Sequence, residues 1–354
     1  MNKPRVTPTS CQSGHPDQAS ITRLRNALAR WEQSEPTTPT SSVLGSGAIH
    51  AAEAAFSQLH DGRPALLLPS ATYALRIGLQ ALEVGADDEV ICPVIDWPAA
   101  LAAIISLGAV PVPVAIDPHT MTIDPTAAAR ARTSRTRAII ACHLHGICAD
   151  IPALRERLPG LSICEDASQA FGARFDGRRA ATFGEVSVLS LGPGKQIDAG
   201  EGGVLLSRTA TLHKRAAAAA CHPLRNLLTG ITTTYPEALV MRPHPVTAVL
   251  ALYELARWSS HLARKAQAAA LMQLAQDPRV RPLGYPVHHT STQPYVPVLI
   301  PRDIEPPPGV TWTHSGAQVI LKHPGSNYEA AKSLLRRVRL ARPATQFSAT
   351  GIRH

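Results

Sequence analysis

The chain has 354 residues, 45% of them hydrophobic, and a formal net charge of +9 with a pI of about 9.6. This length predicts one large domain with a smaller one, and the apolar fraction is enough for a substantial core. Although the charge is positive, the arginines are scattered and no basic run is interleaved with aromatic residues. We therefore expect no nucleic-acid partner and expect anionic small molecules as ligands instead.

The first part of the chain is polar. Residues 1–19 and 34–44 are rich in Pro, Ser and Thr and flank an amphipathic helix predicted over 21–31, so 1–44 is interpreted as a mobile segment with one helix. Residues 1–20 lack the apolar run of a secretory signal, and no apolar run approaches ~18 residues, which argues against a membrane partner. The six cysteines lie mostly in apolar runs, so we expect a reduced, cytoplasmic protein.

From residue 64 onwards, apolar strands alternate with helical segments. Strands are predicted at 65–68, 89–94, 110–116, 137–142, 161–166, 185–191 and 202–207, and helices at 72–82, 98–108 and 151–158. This alternation is typical of an α/β fold with a mostly parallel sheet between helices, and it places a large domain at 45–243.

After residue 207 the pattern becomes helical. Residues 211–221 form a predicted helix, and 244–276 read as one long helix because apolar residues recur at spacings of three and four. The proline-rich tail that follows predicts a short α+β piece. We assign 244–354 to a linking helix and a small, shortened C-terminal domain.

A glycine-rich stretch, SLGPGKQIDAGEGG (190–203), surrounds Lys195. It is not a P-loop, since Leu189 stands where the first glycine is needed and Gln196 stands where a hydroxyl must bind magnesium. The glycines of GEGG are expected to serve backbone geometry.

Three features follow predicted strands: Ser70–Thr72 before a helix, Asp166, and Lys195. Ligands of open α/β sheets bind at the carboxyl ends of the strands, and a helix N-terminus there offers N–H groups to a phosphate. Pyridoxal phosphate needs this set, because a lysine bonds its aldehyde as a Schiff base, an aspartate holds its ring nitrogen protonated, and an aromatic residue stacks on its ring. Trp97 is the candidate for stacking.

Several blocks, in this order and spacing, resemble the DegT/DnrJ/StrS family of pyridoxal-phosphate-dependent sugar aminotransferases, which have fold type I. They are LPSATYAL (68–75), ADDEVICPVIDWPAA (86–100), GAVPVPVAIDPHTMTID (108–124), TRAIIACHLHGICADIPAL (136–154) and EDASQAFGARFDGRRAATFGEVSVLSLGPGKQIDAGEGGVLLS (165–207).

The resemblance implies a role for each matching residue, and a homodimer with its sites at the subunit interface. Lys195 takes the catalytic Schiff-base position and Asp166 faces the ring nitrogen. Cofactor contacts are implied for Gln169 near the ring hydroxyl, for Trp97 on the ring face, and for the phosphate-binding residues Ala71, Thr72 and Ser190.

The sequence departs from the family pattern at three places. Ala71 replaces the usual glycine before the threonine, Val240 stands where the family has an asparagine that reaches the partner subunit, and the tail is shorter. Arg242 is a candidate for binding a substrate carboxylate or for a structural ion pair, and His143 is a further candidate substrate contact. The run Cys142, His143, His145 and Cys148 has irregular spacing, so we expect strand-end packing and no metal.

We therefore predict an aminotransferase that moves an amino group from glutamate or glutamine to a keto-sugar or cyclitol ketone in a biosynthetic pathway. Two alternatives stay open. One is a pyridoxal-phosphate enzyme that performs elimination, replacement or condensation on an amino acid. The other is a non-catalytic regulator that binds the cofactor.

Overall fold

The structure, a computed structural model, describes residues 18–34, 39–232, 238–258, 280–284, 289–291, 296–300, 310–314, 318–319 and 328–343. Its helices in chain order are α1 (Gln18–Gln33), α2 (Ala48–Leu59), α3 (Ala71–Ala81), α4 (Pro98–Ile105), α5 (Pro125–Ala131), α6 (Ile151–Arg157), α7 (Ala210–Ala220), α8 (Pro223–Leu228), α9 (Pro245–Arg257) and α10 (Tyr328–Leu335).

Its strands are β1 (Ala65–Leu68), β2 (Glu89–Pro93), β3 (Ile95–Asp96), β4 (Val110–Val114), β5 (Thr136–Cys142), β6 (Ser162–Asp166), β7 (Arg174–Phe175), β8 (Arg178–Arg179), β9 (Val186–Ser190), β10 (Gly203–Ser207), β11 (Arg281–Pro282), β12 (His289–Thr290), β13 (Val296–Leu299), β14 (Val310–His314), β15 (Gln318–Val319) and β16 (Val338–Pro343).

A seven-stranded sheet with the order β1-β10-β9-β6-β5-β2-β4 forms the centre of the molecule. β10 runs antiparallel to both of its neighbours, and the other pairs are parallel. Every residue of β1, β2 and β10 is buried, as expected for strands covered by helices on both faces. The predicted α/β class is therefore confirmed, and the predicted strands fall within one or two residues of the observed ones.

Local sequence signals explain where the helices of this sheet begin. A side-chain oxygen caps α3 (Ser70), α5 (Asp124), α6 (Asp150) and α7 (Thr209) by accepting a hydrogen bond from a backbone N–H of the first turn. Proline occupies the start of α4, α5 and α6, where its missing N–H costs nothing.

The long helix predicted over 244–276 ends at Arg257. Trp258 leaves the helical conformation with ψ of 118°, and its ring packs edge-on against Phe171 with the ring centroids 5.1 Å apart. This packing on the core favours the turn over a further helical residue, because an aromatic pair adds to the burial of both rings. Residues 259–279, and residues 1–17 of the predicted N-terminal segment, lie outside the described residues.

The C-terminal strands form a second, antiparallel sheet with the order β11-β13-β16-β14, next to α10. Its buried residues share a cluster with the large sheet, in which Leu299 and Val338 pack with Ile95 and Cys142. In addition, β15 pairs with β3. The C-terminal part therefore covers the strand end that carries Asp96, while the domain boundaries at 44/45 and 243/244 stay predictions.

None of the helices in the described ranges combines the length and the apolar character needed to cross a bilayer.

The carboxylate of Glu165, the penultimate residue of β6, is fully buried and fastens the end of this strand to the loop before β9. Its oxygens accept hydrogen bonds from five donors: His143 Nε2 (2.8 Å), the N–H groups of Ala181 (2.6 Å), Phe183 (2.8 Å) and Gly184 (2.8 Å), and Ser187 Oγ (2.9 Å). Burial alone would raise the pKa of Glu165, but the hydrogen bonds, the strongest from His143, hold this pKa at about 2.

The carbonyl groups of the same loop are held from outside by arginines. These contacts are Arg63 to Gly184 O (2.8 Å), Arg155 to Phe183 O (2.8 Å), and further bonds from Arg178 to Thr182 O and from Arg208 to Phe183 O. Because both the N–H and C=O groups of the loop are satisfied by charged partners, its backbone has little freedom.

We predict that Glu165→Gln lowers the free energy of unfolding by about 3 kcal/mol, because an amide NH₂ would face backbone donors and the buried network would lose its charge. The measurement is urea or thermal unfolding, with Glu156→Gln on the exposed face of α6 as the matched control. Equal stability of the two variants would contradict this role of Glu165.

Candidate active site

The site lies at one edge of the central sheet, where the parallel strands end. β1 leads into the start of α3, β2 leads through β3 to Trp97, β6 ends at Asp166, and β9 ends at Ser190 before the loop that carries Lys195. The sequence therefore brings its predicted residues to one edge of the fold, as the rule for ligand sites in open α/β sheets requires.

Asp166 is fixed at both its backbone and its side chain. Its carbonyl accepts the N–H of His143 at 2.9 Å, and its Oδ1 accepts the N–H of Ser168 at 2.9 Å. Since side chains alternate along a strand, Glu165 points to the opposite face of the sheet. The anchoring of Glu165 thus fixes the position of Asp166.

Asp96 is an acidic residue of this site that the sequence analysis missed. The carboxylate oxygens of Asp96 and Asp166 and the Cys142 sulfur lie within 4.8 Å of one another, and all three residues are buried. Burial, with the charge of Asp166 as a further cause, raises the pKa of Asp96 to about 8. The three residues are 24 or more positions apart in sequence. They meet because β3 follows directly after β2, β2 pairs with β5, and β5 pairs with β6.

Lys195 lies in the turn after β9, with its N–H bonded to Gly192 O at 3.2 Å. Gly194 has φ of 76° there, a conformation that a residue with a side chain adopts only under strain. Burial lowers the pKa of the Lys195 ammonium, while the nearby charges of Asp166 and Cys142 oppose this shift. The amine of Lys195 is therefore less basic than that of a surface lysine.

The start of α3 lies where the sequence predicts a phosphate cradle. Ser70 Oγ accepts the N–H of Tyr73 at 3.3 Å, and the first turn of a helix leaves the N–H groups of Ala71 and Thr72 without intrahelical acceptors. Gly203 passes directly beneath, since a Cβ there would lie 2.5 Å from the Ser70 carbonyl atoms and 2.6 Å from Ala71 N.

Gly203 also links the cradle to the lysine loop. It pairs with Leu68 at the end of β1 and with Ser190 at the end of β9. Ser190 and the start of α3 therefore flank one glycine, which lets three backbone segments meet. The sequence predicts a backbone role for the glycines of GEGG in general, and the structure shows that Gly203 is needed for this close approach.

The two remaining cofactor candidates lie on the same edge. Trp97 precedes α4 and is 52% exposed. Its backbone N–H donates to Asp96 Oδ1 at 2.7 Å. Gln169 Oε1 accepts the N–H of His145 at 2.9 Å, which holds this side chain against the turn after β5.

The two substrate candidates differ in position. His143 is 0% exposed, and its ring accepts the N–H of Ala149 at Nδ1 (3.0 Å) and donates from Nε2 to Glu165. Both ring nitrogens are therefore engaged with protein, and we do not carry His143 forward as a substrate contact. Arg242 is exposed and has no ion-pair partner within the described ranges, which leaves it available to an anionic ligand.

Val240 adopts φ of 46°, which is unusual for a β-branched residue. Its neighbours hold it there, since the N–H groups of Leu239 and Met241 bond the carbonyls of Ala219 and Ala220 at 3.2 and 2.7 Å. Asparagine tolerates this conformation better, so the departure from the family pattern at this position carries a backbone cost.

Comparison with known proteins identifies the group to which this architecture belongs. A model described as the DegT/DnrJ/EryC1/StrS aminotransferase family matches residues 40–305, which is 266 of the 354 residues. A curated relative from Micromonospora echinospora, L-glutamine:2-deoxy-scyllo-inosose aminotransferase, is 40% identical over 168 residues, which are 46% of this chain and 39% of the relative. The chain thus spans about two fifths of the length of the curated relatives it matches.

Solved structures match over a longer range. The crystal structure of DesV from S. venezuelae in complex with a ketimine intermediate has a TM-score of 0.73 and 26% identity, covering 91% of this chain and 89% of that one. The aminotransferase from Psychrobacter cryohalolentis has a TM-score of 0.75 and 21% identity over 96% of each chain, which shows the shared fold. The predicted fold type I is confirmed.

We predict that Gly203→Ala weakens the binding of pyridoxal phosphate at least tenfold, because the new Cβ would push the start of α3 away from the phosphate. Fluorescence titration measures the Kd. Gly85→Ala is the control, since no atom lies within 4 Å of a Cβ at that position. Unchanged affinity in Gly203→Ala would remove this glycine from the cradle.

We further predict that Val240→Asn raises the free energy of unfolding by about 1 kcal/mol, because asparagine adopts positive φ at lower cost. Thermal unfolding measures the effect. Val240→Ile keeps the β-branch and serves as control, and a gain in both variants, or in neither, would rule out backbone strain as the cause.

Proposed function

The chain belongs to the DegT/DnrJ/EryC1/StrS aminotransferase family, and we propose that it is a pyridoxal-phosphate-dependent aminotransferase that aminates a cyclitol or sugar ketone. The observation that carries this proposal is one lysine of lowered basicity placed with a fixed aspartate and a helix N-terminus at a single sheet edge. Glutamine is the proposed donor and an inosose-like ketone the proposed acceptor, after the printed name of the relative from Micromonospora echinospora.

The residues present fit pyridoxal phosphate. Gly203 lets β10 approach the start of α3 closely, since a Cβ there would clash with the backbone of Ser70 and Ala71. The first turn of α3 leaves backbone N–H groups that could bind a phosphate. Thr72 and Ser190 supply hydroxyl groups beside them. A dianionic phosphate suits this positive end of the α3 dipole.

When bound, pyridoxal phosphate supplies an aldehyde that takes up the amino group and a protonated ring that draws electrons from the bonds being broken. Lys195 would hold the cofactor through its ε-amino group and, as a free amine, would move a proton to or from the substrate carbon. Its lowered pKa supports this role, because a general base works best when a useful fraction is unprotonated near neutral pH.

Asp166 would keep the ring nitrogen protonated, and the Ser168 N–H orients its carboxylate for this task. Trp97, which is exposed at the same edge, would stack on the cofactor ring, and Gln169 would contact the ring hydroxyl. Arg242 binds a carboxylate of the amino donor. In the complete reaction the donor leaves as its 2-oxo acid and the ketone becomes an amine.

The proposed assembly is a homodimer with its sites at the interface. Four exposed leucines support an interface, three of them on α8: Leu224, Leu227, Leu228 and Leu239. Light scattering after gel filtration tests this, and a monomer at micromolar concentration would contradict it. A reducing, cytoplasmic location is proposed because the five cysteines within the described ranges are buried free thiols.

We predict that borohydride reduction of the protein after addition of pyridoxal phosphate attaches the pyridoxyl group to Lys195 alone among the six lysines of the sequence. Peptide mass analysis locates the label. Labelling of Lys214, which is exposed on α7, in place of Lys195 would contradict the proposal.

Lys195→Ala is expected to lower the rate of amine formation from glutamine and 2-deoxy-scyllo-inosose by at least 10³-fold, because both the covalent anchor and the proton-transfer group are lost. Lys214→Ala is the matched control and should keep the full rate. If wild-type protein with the cofactor releases ammonia or a cleaved amino acid but never an aminated ketone, the elimination alternative replaces transamination.

A further inference from the structure

A second buried carboxyl lies beside Asp166. Asp96 is 0% exposed and Asp166 is 5% exposed, and their oxygens lie within 4.8 Å of each other and of Cys142 Sγ. The proposed mechanism uses Asp166 and leaves Asp96 without a task. Two carboxylates this close in a buried space do not both ionise near neutral pH, because like charges repel strongly where water is excluded.

The contacts decide which of the two carboxyls holds the proton. Asp166 accepts the Ser168 N–H at Oδ1 and lies near the Lys195 amine, so a hydrogen-bond donor and a cationic side chain both face this carboxyl group. Asp96 accepts the Trp97 N–H at Oδ1 and has the Cys142 thiol beside it as a further, weak hydrogen-bond partner. Its buried Oδ2 meets no partner at normal hydrogen-bond geometry within the described ranges. A proton on Oδ2 would turn this oxygen into a donor toward Asp166 or the Cys142 sulfur.

We propose that Asp96 is a positioning residue that holds a proton at neutral pH and thereby leaves Asp166 as the single ionised carboxylate of the pair. The part of this role that concerns the cofactor ring rests on the proposed function. The proton on Asp96 is a property of the protein alone and is tested separately.

The ionisable groups around Asp96 determine the pH at which it loses this proton. The titratable groups against it are Asp166 on β6, Cys142 on β5 and Cys92 on β2, and Lys195 faces Asp166 and Cys142. α4 and the paired β15 bring no ionisable side chain. Loss of the proton would place a second negative charge beside Asp166, which would stabilise the Lys195 ammonium and reduce its basic form.

The first test measures stability against pH on the full chain. In the folded protein the pKa of Asp96 is about 8, above the ordinary value of 3.8, so the folded state binds the proton more tightly. Its contribution to stability is therefore complete below pH 4 and is lost as the pH rises to 8. The Asp96→Asn variant has no carboxyl group at this position and therefore should not lose stability in this way. We expect the Tm of the wild type to fall by several degrees relative to Asp96→Asn between pH 5 and pH 8.

The control is Asp61→Asn, an exposed position whose curve should run parallel to that of the wild type. Parallel curves for Asp96→Asn and the wild type would overturn the proposal. Should Asp96→Asn fail to fold, infrared spectroscopy of the wild type decides. The C=O stretch of a buried carboxylic acid is expected at pH 6 and should disappear by pH 10, and its absence at pH 6 would overturn the proposal.

A divalent cation held by Asp96, Cys142 and Asp166 is the competing explanation. In that case metal analysis would find about one equivalent per chain, and the acid band would be missing until a chelator was added. This result would overturn the proposal.

The second test adds pyridoxal phosphate and follows the visible spectrum from pH 6 to 10. The wild type should show an ionisation step near pH 8 that Asp96→Asn lacks, and identical spectral titrations would contradict a role toward the ring. If pyridoxal phosphate does not bind at all, the proposed function fails, while the stability and infrared results still decide whether Asp96 holds the proton.

Discussion

The position of the site depends on a buried carboxylate that takes no part in the proposed chemistry. Glu165 accepts hydrogen bonds from His143 just after β5, from three N–H groups of the loop before β9 and from Ser187 in β9, and all of these donors are buried with it. A charge in such a place is tolerated only because it is fully hydrogen-bonded. As Glu165 is fixed on one face of β6, Asp166 is fixed on the other, at the point where the ring nitrogen is proposed to lie.

The second constraint is the close approach of three backbone segments at Gly203. The end of β1, the start of α3 and the end of β9 meet there with no space for a side chain, which places helix N–H groups and the Ser190 hydroxyl near each other. Rigid strands thus position the polar groups of the site, and the lysine lies on a turn beside them. This arrangement suits a site in which fixed polar groups would hold a cofactor while the bonding of the Lys195 amine changes.

Much of the fold and of the candidate site is predictable from the sequence, because the patterns that indicate them lie within short stretches of the chain. Alternating apolar strands and helices predicted the α/β class, which is confirmed, and the helix after Ser70 and the lysine among glycines predicted where the proposed phosphate site and cofactor anchor lie. The resemblance of the blocks over roughly residues 45–260 implied a role for each residue, and the family itself is confirmed. The sequence did not predict the packing of Trp258 on Phe171. The helix ends there, earlier than the spacing of its apolar residues indicates.

The features that the sequence did not reveal are long-range. Asp96 follows β2 and Asp166 ends β6, so the two meet with β5 between their strands. Glu165 precedes Asp166 without any local pattern that marks it as the centre of a hydrogen-bond network. His143 was a candidate substrate contact because it lies next to a strand end, yet its ring is buried and bonded to Glu165.

A crystal structure of the full chain grown with pyridoxal phosphate tests the central claim most directly. The account predicts the pyridine nitrogen within hydrogen-bond distance of Asp166, the cofactor aldehyde carbon bonded to Lys195, and the Glu165 contacts unchanged. A cofactor bound elsewhere, or an Asp166 carboxylate turned away from the ring, would contradict it.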